Sequence, residues 1–204
     1  MIPALRILFE VAVYRLQRLE MANIFAGLTI ALALRLSITQ TVVRVVFLLL
    51  LNVLALLGND CFDVDQDMVS PRRDPEKPRY LKAHMKEALW AQVVLGLVLA
   101  VFALAWSRGL FVAFVLGEAN CLLYSWKLKR MPGVDVLSIA VWGVVMPMAC
   151  FPLDSLLGWC LAGQLFLFSG TFEIMQVMRD REEDISHGVT TTAVALGHRG
   201  QVVF

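Results

Sequence analysis

Cysteine is scarce in this chain and spaced for none of the chemistry cysteine usually does. Cys61, Cys121, Cys150 and Cys160 form no CxxC pair and show no metal-ligand spacing. Three of them fall in or beside apolar runs, where a free thiol behaves as a small hydrophobe. Histidine is equally thin: His84, His187 and His198 stand apart, none with a ligand-spaced partner. Charge is also low, at 17% of residues, where soluble domains carry about a quarter. The net charge of +1 gives nucleic acid nothing to bind. No internal repeat or low-complexity segment breaks the chain.

What fills it is hydrocarbon. Hydrophobic residues make up 59% and the mean hydropathy is +0.71, the composition of a membrane protein. Crossing the apolar core of a bilayer takes about 20 residues in a helix, and irregular backbone cannot face lipid. Six runs qualify as candidate spans: roughly 21–38, 41–58, 88–106, 109–126, 134–153 and 155–178. The expected fold is an all-α transmembrane helix bundle. Residues 1–20 carry Arg6, Glu10, Arg15, Arg18 and Glu20, which suits an amphipathic lead-in helix at the membrane surface and not a cleaved signal peptide.

Lysine and arginine fix the expected orientation. The N-terminal segment, the connection holding Arg72 to Lys86, the one holding Lys127, Lys129 and Arg130, and the tail with Arg179, Arg181 and Arg199 share one side. Only Arg35, Arg44 and Arg108 fall on the other. The positive-inside rule makes the richer side cytoplasmic, and the expected location is the cell's inner membrane. Every acidic cluster falls on that same side.

The acids need an explanation. "GNDCFDVDQD", Gly58 to Asp67, puts four aspartates directly after one of the most apolar runs. If the second span continues as a helix, Asp60, Asp63 and Asp67 share an arc of about 60°, with Asn59 and Asn52 beside it and Asp65 facing away. Such a stripe makes a poor solvated face and a good hard-cation site, because Mg²⁺ takes oxygen ligands and keeps several waters. The end of the sixth span, "GTFEIMQVMRDREED", repeats the pattern with Asp180 and Asp184, above Glu173 and Gln176 within the apolar run. Ionisable residues inside a span point to function. The fourth span contributes a polar stripe of Asn120, Tyr124 and Lys127, with Lys129 and Arg130 close behind. Two acidic stripes and a basic one at one membrane depth suit Mg²⁺ ions and the diphosphate they would grip.

"NDCFDVDQD" fits N-D-x-x-D-x-x-x-D and "DREED" fits D-x-x-x-D, with "YSWKLKRMPGVDVL" between them. From about Arg18 onward the chain resembles the UbiA superfamily of intramembrane prenyltransferases, which includes 4-hydroxybenzoate polyprenyltransferase, chlorophyll synthase and haem O synthase. The resemblance implies a bundle around a cavity open laterally to the bilayer. It implies that Asn59, Asp60, Asp63, Asp67, Asp180 and Asp184 hold Mg²⁺ and, through it, a polyprenyl diphosphate donor. Arg79, Lys127, Arg18 and Lys129 would contact the phosphates, with Asn120 behind them. Tyr124 sits where the family's Tyr/Lys signature begins; since position 128 is Leu, Lys127 and Lys129 both stay open for the Lys role. The family has about nine spans against six here, so the expectation is a single domain over 1–204 lacking the family's C-terminal spans. The implied activity is Mg-dependent transfer of a prenyl group to an aromatic or lipid acceptor. A terpene cyclase or a catalytically impaired relative on the same fold would keep both motifs. A divalent-cation transporter would need neither the interleaved basic residues nor both acidic sites on one face.

Overall fold

All six apolar runs become helical, but only four of them make helices long enough to cross a bilayer. The computed structural model describes residues 2–17, 20–69, 75–186 and 188–197, apart from the side chain of Glu183. The α-helices are α1 Pro3–Gln17, α2 Ala22–Ala33, α3 Ile38–Asp67, α4 Glu76–Ala83, α5 Met85–Trp106, α6 Arg108–Trp126, α7 Val134–Val145, α8 Leu156–Ser186 and α9 Thr192–Leu196. No strand occurs among the described residues. The helices of membrane-spanning length and hydropathy are α3, α5, α6 and α8.

The expected first and fifth spans are shorter than their hydropathy suggested, for local reasons. The backbone leaves α2 at Leu34 and takes a left-handed conformation at Arg35 (φ 54°), before the Ser37 hydroxyl caps α3 by accepting from the Gln40 N–H. A single apolar run thus becomes a helix, a turn and the start of the next helix. In the fifth, Pro147 cannot continue the α-helical ladder, and the chain tightens into a 3₁₀ turn, Pro147–Cys150. The backbone freed there needs a partner within the apolar interior. Arg44 of α3 supplies one, its buried guanidinium donating to the Ala149 carbonyl at 2.9 Å.

Helix α3 is the central element, packed against α1, α2, α4, α5 and α6. Phe47, Leu48 and Leu51 of α3 meet Leu110 of α6, with Met146 and Phe151 closing the core from the far end of α7. Helices α7 and α8 run along each other at short range. A Cβ on Gly143 would stand 2.1 Å from the Ser169 hydroxyl oxygen and 2.8 Å from the Leu165 carbonyl oxygen, so only glycine permits this approach. The outward faces of α5 and α8, with Leu97, Val101, Leu104, Leu167, Phe168 and Met175, are apolar and exposed, as lipid-facing helices require.

Since α3, α6 and α8 alternate with returning helices, their C-terminal ends lie together. Helix C-termini carry partial negative charge, and three of them share this end with the aspartates. Positive charge must come to meet it.

Candidate functional site

Helix α3 persists unbroken through the first acidic motif to Asp67, so the expected register holds. Asp60 is buried, and Asp63 and Asp67 are half-buried. Asp65, on the opposite face, has a side chain 76% exposed and pairs with Lys82 at 2.6 Å. Asn59 donates to the Asp63 carboxylate at 3.2 Å and to the Ser125 hydroxyl of α6 at 3.1 Å, tying the stripe to the neighbouring helix. Asn52, deeper and fully buried, instead joins helices: it accepts from Asn23 of α2 and donates to the Leu48 carbonyl.

The cations that reach this stripe are only partly those the motifs suggested. Helix α6 ends at Trp126 and the chain turns through a 3₁₀ segment, Leu128–Arg130. That turn leaves Lys127 exposed and carries the Lys129 ammonium to 2.8 Å from Asp63. The expected stripe Asn120–Tyr124–Lys127 therefore stops before its lysine. Arg79 is exposed on α4, while Lys77, two residues earlier and on another face of the helix, sits 3.4 Å from Asp60. Arg18 lies outside the described residues.

Arg15 of α1 is the deepest cation. Its buried guanidinium donates to both Glu20 and Asp60. Burial opposes its charge, but Asp60 and Glu20 together outweigh that and hold it protonated beyond the ordinary arginine range. Sequence reading gave Arg15 only to the lead-in helix, because nothing local announces a partner 45 residues away. Breaking a buried pair strands its other member at a cost of about 3–5 kcal/mol. Lys77 remains beside Asp60 to soften that loss. Arg15→Ala should lower the thermal unfolding midpoint in detergent by several degrees, whereas Glu10→Ala, which breaks the exposed pair with Arg6, should leave it nearly unchanged. Equal midpoints for the two variants would remove Arg15 from the account of stability.

The second motif also stays helical, α8 running on to Ser186. Asp180 is gripped at 2.8 and 2.9 Å by its neighbour Arg179. Asp184 is buried and accepts from the Thr191 hydroxyl at 3.0 Å. About two turns deeper than Asp180, Glu173 accepts from the Tyr124 hydroxyl at 3.3 Å, which links α8 to α6. Asn120 exchanges hydrogen bonds with Ser138 and so joins α6 to α7. Two further acids escaped the motif reading. Glu118, inside the α6 span, has a buried carboxylate oxygen with no hydrogen-bond partner; its position alone in an apolar run was the available signal. Asp135, fully buried in the first turn of α7, stands at the edge of its expected span, where an acid reads as an interfacial residue.

The structure thus brings α1, α3, α4, α6, the 3₁₀ turn after it, and α8 together around carboxylates and cations at one end of the bundle. Among the described residues, no three Asp, Glu, His or Cys side chains gather as a ready-made metal cluster. The donor set is all oxygen, with three carboxylates along α3 and two along α8. That suits a hard cation which keeps several of its waters.

A family model described as the UbiA prenyltransferase family matches residues 21–204. The chain is 32% identical over 146 residues to the digeranylgeranylglyceryl phosphate synthase of Thermococcus gammatolerans, covering 69% of this chain and 51% of that one. It is 31% identical over 115 residues to a 4-hydroxybenzoate octaprenyltransferase of Xanthomonas oryzae pv. oryzae, covering 55% of this chain and 38% of the other. It thus spans about half the length, or less, of these curated relatives. Among solved structures, a UbiA homolog from Archaeoglobus fulgidus bound to DMAPP and Mg²⁺ superposes with a TM-score of 0.71 at 19% identity, over 97% of this chain and 70% of that one.

Proposed function

The chain belongs to the UbiA prenyltransferase family, and from that membership we propose that it transfers a prenyl group from a polyprenyl diphosphate to an aromatic or lipid acceptor within the membrane. The observation that carries this reading is the junction of α3 and α6, where Lys129 reaches Asp63 beside Asn59 and Ser125, on the same end of the bundle as Asp180 and Asp184. Acids alone would suit a cation carrier. Acids with a lysine held among them suit a cation-bound polyanion.

Asp60, Asp63 and Asp67 on α3, with Asp180 and Asp184 on α8, are the residues that would hold Mg²⁺. Bound there, Mg²⁺ supplies positive charge to a leaving diphosphate. The chain's own contribution is positional. Lys129 stands at the diphosphate end, where negative charge grows as the allylic carbon–oxygen bond breaks and its electron pair leaves with oxygen. The apolar surroundings exclude water from the allylic cation, so the acceptor's electron pair forms the new bond and the acceptor then loses its proton. No residue of the chain becomes covalently attached. Cys121, a buried thiol of α6, donates to the Ala55 carbonyl.

Two measurements test the proposal. Lipid extracts of cells with and without the full chain should differ by a prenylated product, and transfer by the purified protein should stop in excess EDTA and return with Mg²⁺. A cyclised isoprenoid with no acceptor attached would replace transfer by cyclisation on the same fold. Full activity in EDTA would remove the metal. We further propose that the acidic end faces the cytoplasm, on the strength of the lysine and arginine distribution. In a cysteine-free background, an impermeant thiol reagent applied to intact cells should label Cys at exposed Arg108 and spare Cys at exposed Lys82. The reverse pattern would invert the topology.

A further inference from the structure

Asp135 is a carboxylate buried completely, outside both acidic motifs, and the transfer reaction as described gives it no task. One of its bonds is local, accepting from the Val136 N–H at 2.8 Å at the start of its own helix, where a carboxylate meets the helix dipole favourably. The others reach 57 residues along the chain. Asp135 accepts from the Thr192 N–H at 2.7 Å and also from the Thr192 hydroxyl. The Thr192 hydroxyl oxygen in turn accepts from the Gly133 N–H at 2.7 Å. Both polar groups that Thr192 presents to α7 are therefore taken by the residues that open that helix.

The segment thus anchored is the one that follows the second acidic motif. After α8 the chain reverses through Gly188, whose φ of 66° favours glycine. The Val189 N–H then returns to the Asp184 carbonyl at 2.9 Å. Thr191, adjacent to the anchored Thr192, donates its hydroxyl to the Asp184 carboxylate at 3.0 Å. Asp184 is accordingly held at its main chain and at its side chain by a single return turn, and that turn is fixed from outside by Asp135.

We propose that Asp135 is a positioning residue for the second acidic stripe: through Thr192 and Thr191 it sets the orientation of the Asp184 carboxylate toward a divalent cation. The inference rests on the metal reading given under the proposed function. A capping role alone would not call for a fully buried carboxylate with two bonds to one distant threonine. Partners that orient a ligand in this way change metal affinity by about 10- to 100-fold when removed.

The test uses the full chain in nanodiscs, titrated with Mn²⁺ in the presence of inorganic pyrophosphate and read by electron paramagnetic resonance. Asp135→Asn and Thr191→Val should each weaken Mn²⁺ binding about 10-fold. Thr192→Ser, which keeps both the N–H and the hydroxyl, should bind as the parent does. Unfolding midpoints taken alongside separate lost folding from lost positioning. Should Asp135→Asn fail to fold, Thr191→Val decides, since it removes only the hydroxyl that touches Asp184. Folded variants with the parent's Mn²⁺ affinity would overturn the positioning role and leave the metal reading standing. A parent chain that binds no Mn²⁺ would overturn the metal reading, and this inference with it.

Discussion

Asp63→Ala and Asp180→Ala are each expected to cut prenyl transfer by at least about 10²-fold, while Asp65→Ala changes it by less than about twofold. The three residues are the same chemical type, and two of them lie on one helix two positions apart. What separates Asp63 from Asp65 is the face. Asp63 stands on the α6 side of α3, held by Asn59 and meeting Lys129. Asp65 points outward to Lys82 in an exposed pair, worth little to stability or to anything else. On the proposed metal reading, removing Asp63 deletes a ligand, and it takes from Lys129 the carboxylate 2.8 Å away. Removing Asp180 deletes the corresponding group on the second helix. Initial rates at saturating Mg²⁺, with protein amount and unfolding midpoint matched across variants, provide the comparison. An Asp65→Ala enzyme as impaired as Asp63→Ala would mean that helix face does not organise the site.

The periodic part of this architecture was legible in the sequence. Helix α3 keeps its 3.6-residue repeat from lipid into the acidic motif, so a wheel drawn from Asn52 to Asp67 gave the correct inward and outward aspartates. The same reasoning placed Asp180 and Asp184 on one helix. It failed where contacts run between elements distant in sequence. Arg15 meets Asp60 across 45 residues, and Thr192 meets Asp135 across 57; no local pattern encodes either. Span counting failed for another reason. Hydropathy registers how apolar a run is and not whether its backbone turns, so the left-handed Arg35 and the 3₁₀ turn at Pro147 were invisible to it, although Pro147 itself was in plain view. Glu118 is of a different kind: a lone acid in an apolar run is itself a local signal of function.

Where α6 stops puts Lys129, and not Lys127, beside Asp63, and on the proposed function the two lysines should differ sharply in effect. Had the helix continued past Trp126, Lys127 would have extended the Asn120–Tyr124 stripe. Instead the Lys127 N–H makes the last bond back to the Leu123 carbonyl, and its backbone swings to φ −141°, so the following residues turn toward α3. Lys129 lands at 2.8 Å from Asp63 with its ammonium mostly shielded, while Lys127 stays in the open. A preorganised charge at the point where diphosphate accumulates negative charge contributes roughly 3 kcal/mol to the transition state. Lys129→Ala should therefore lower turnover about 10²-fold, and Lys127→Ala by no more than a few-fold. Lys129→Arg should recover only part of the loss, because a planar guanidinium cannot occupy the place of a compact ammonium without disturbing the bond to Asp63. Since Lys129 and Asp63 act as one unit, the double variant Asp63→Ala/Lys129→Ala should be little worse than Asp63→Ala alone. Single-turnover rates with a labelled prenyl diphosphate separate this effect from acceptor binding. If Lys127→Ala proved the more damaging of the two single changes, the diphosphate would have to lie against the open side of the 3₁₀ turn and not between α3 and α6.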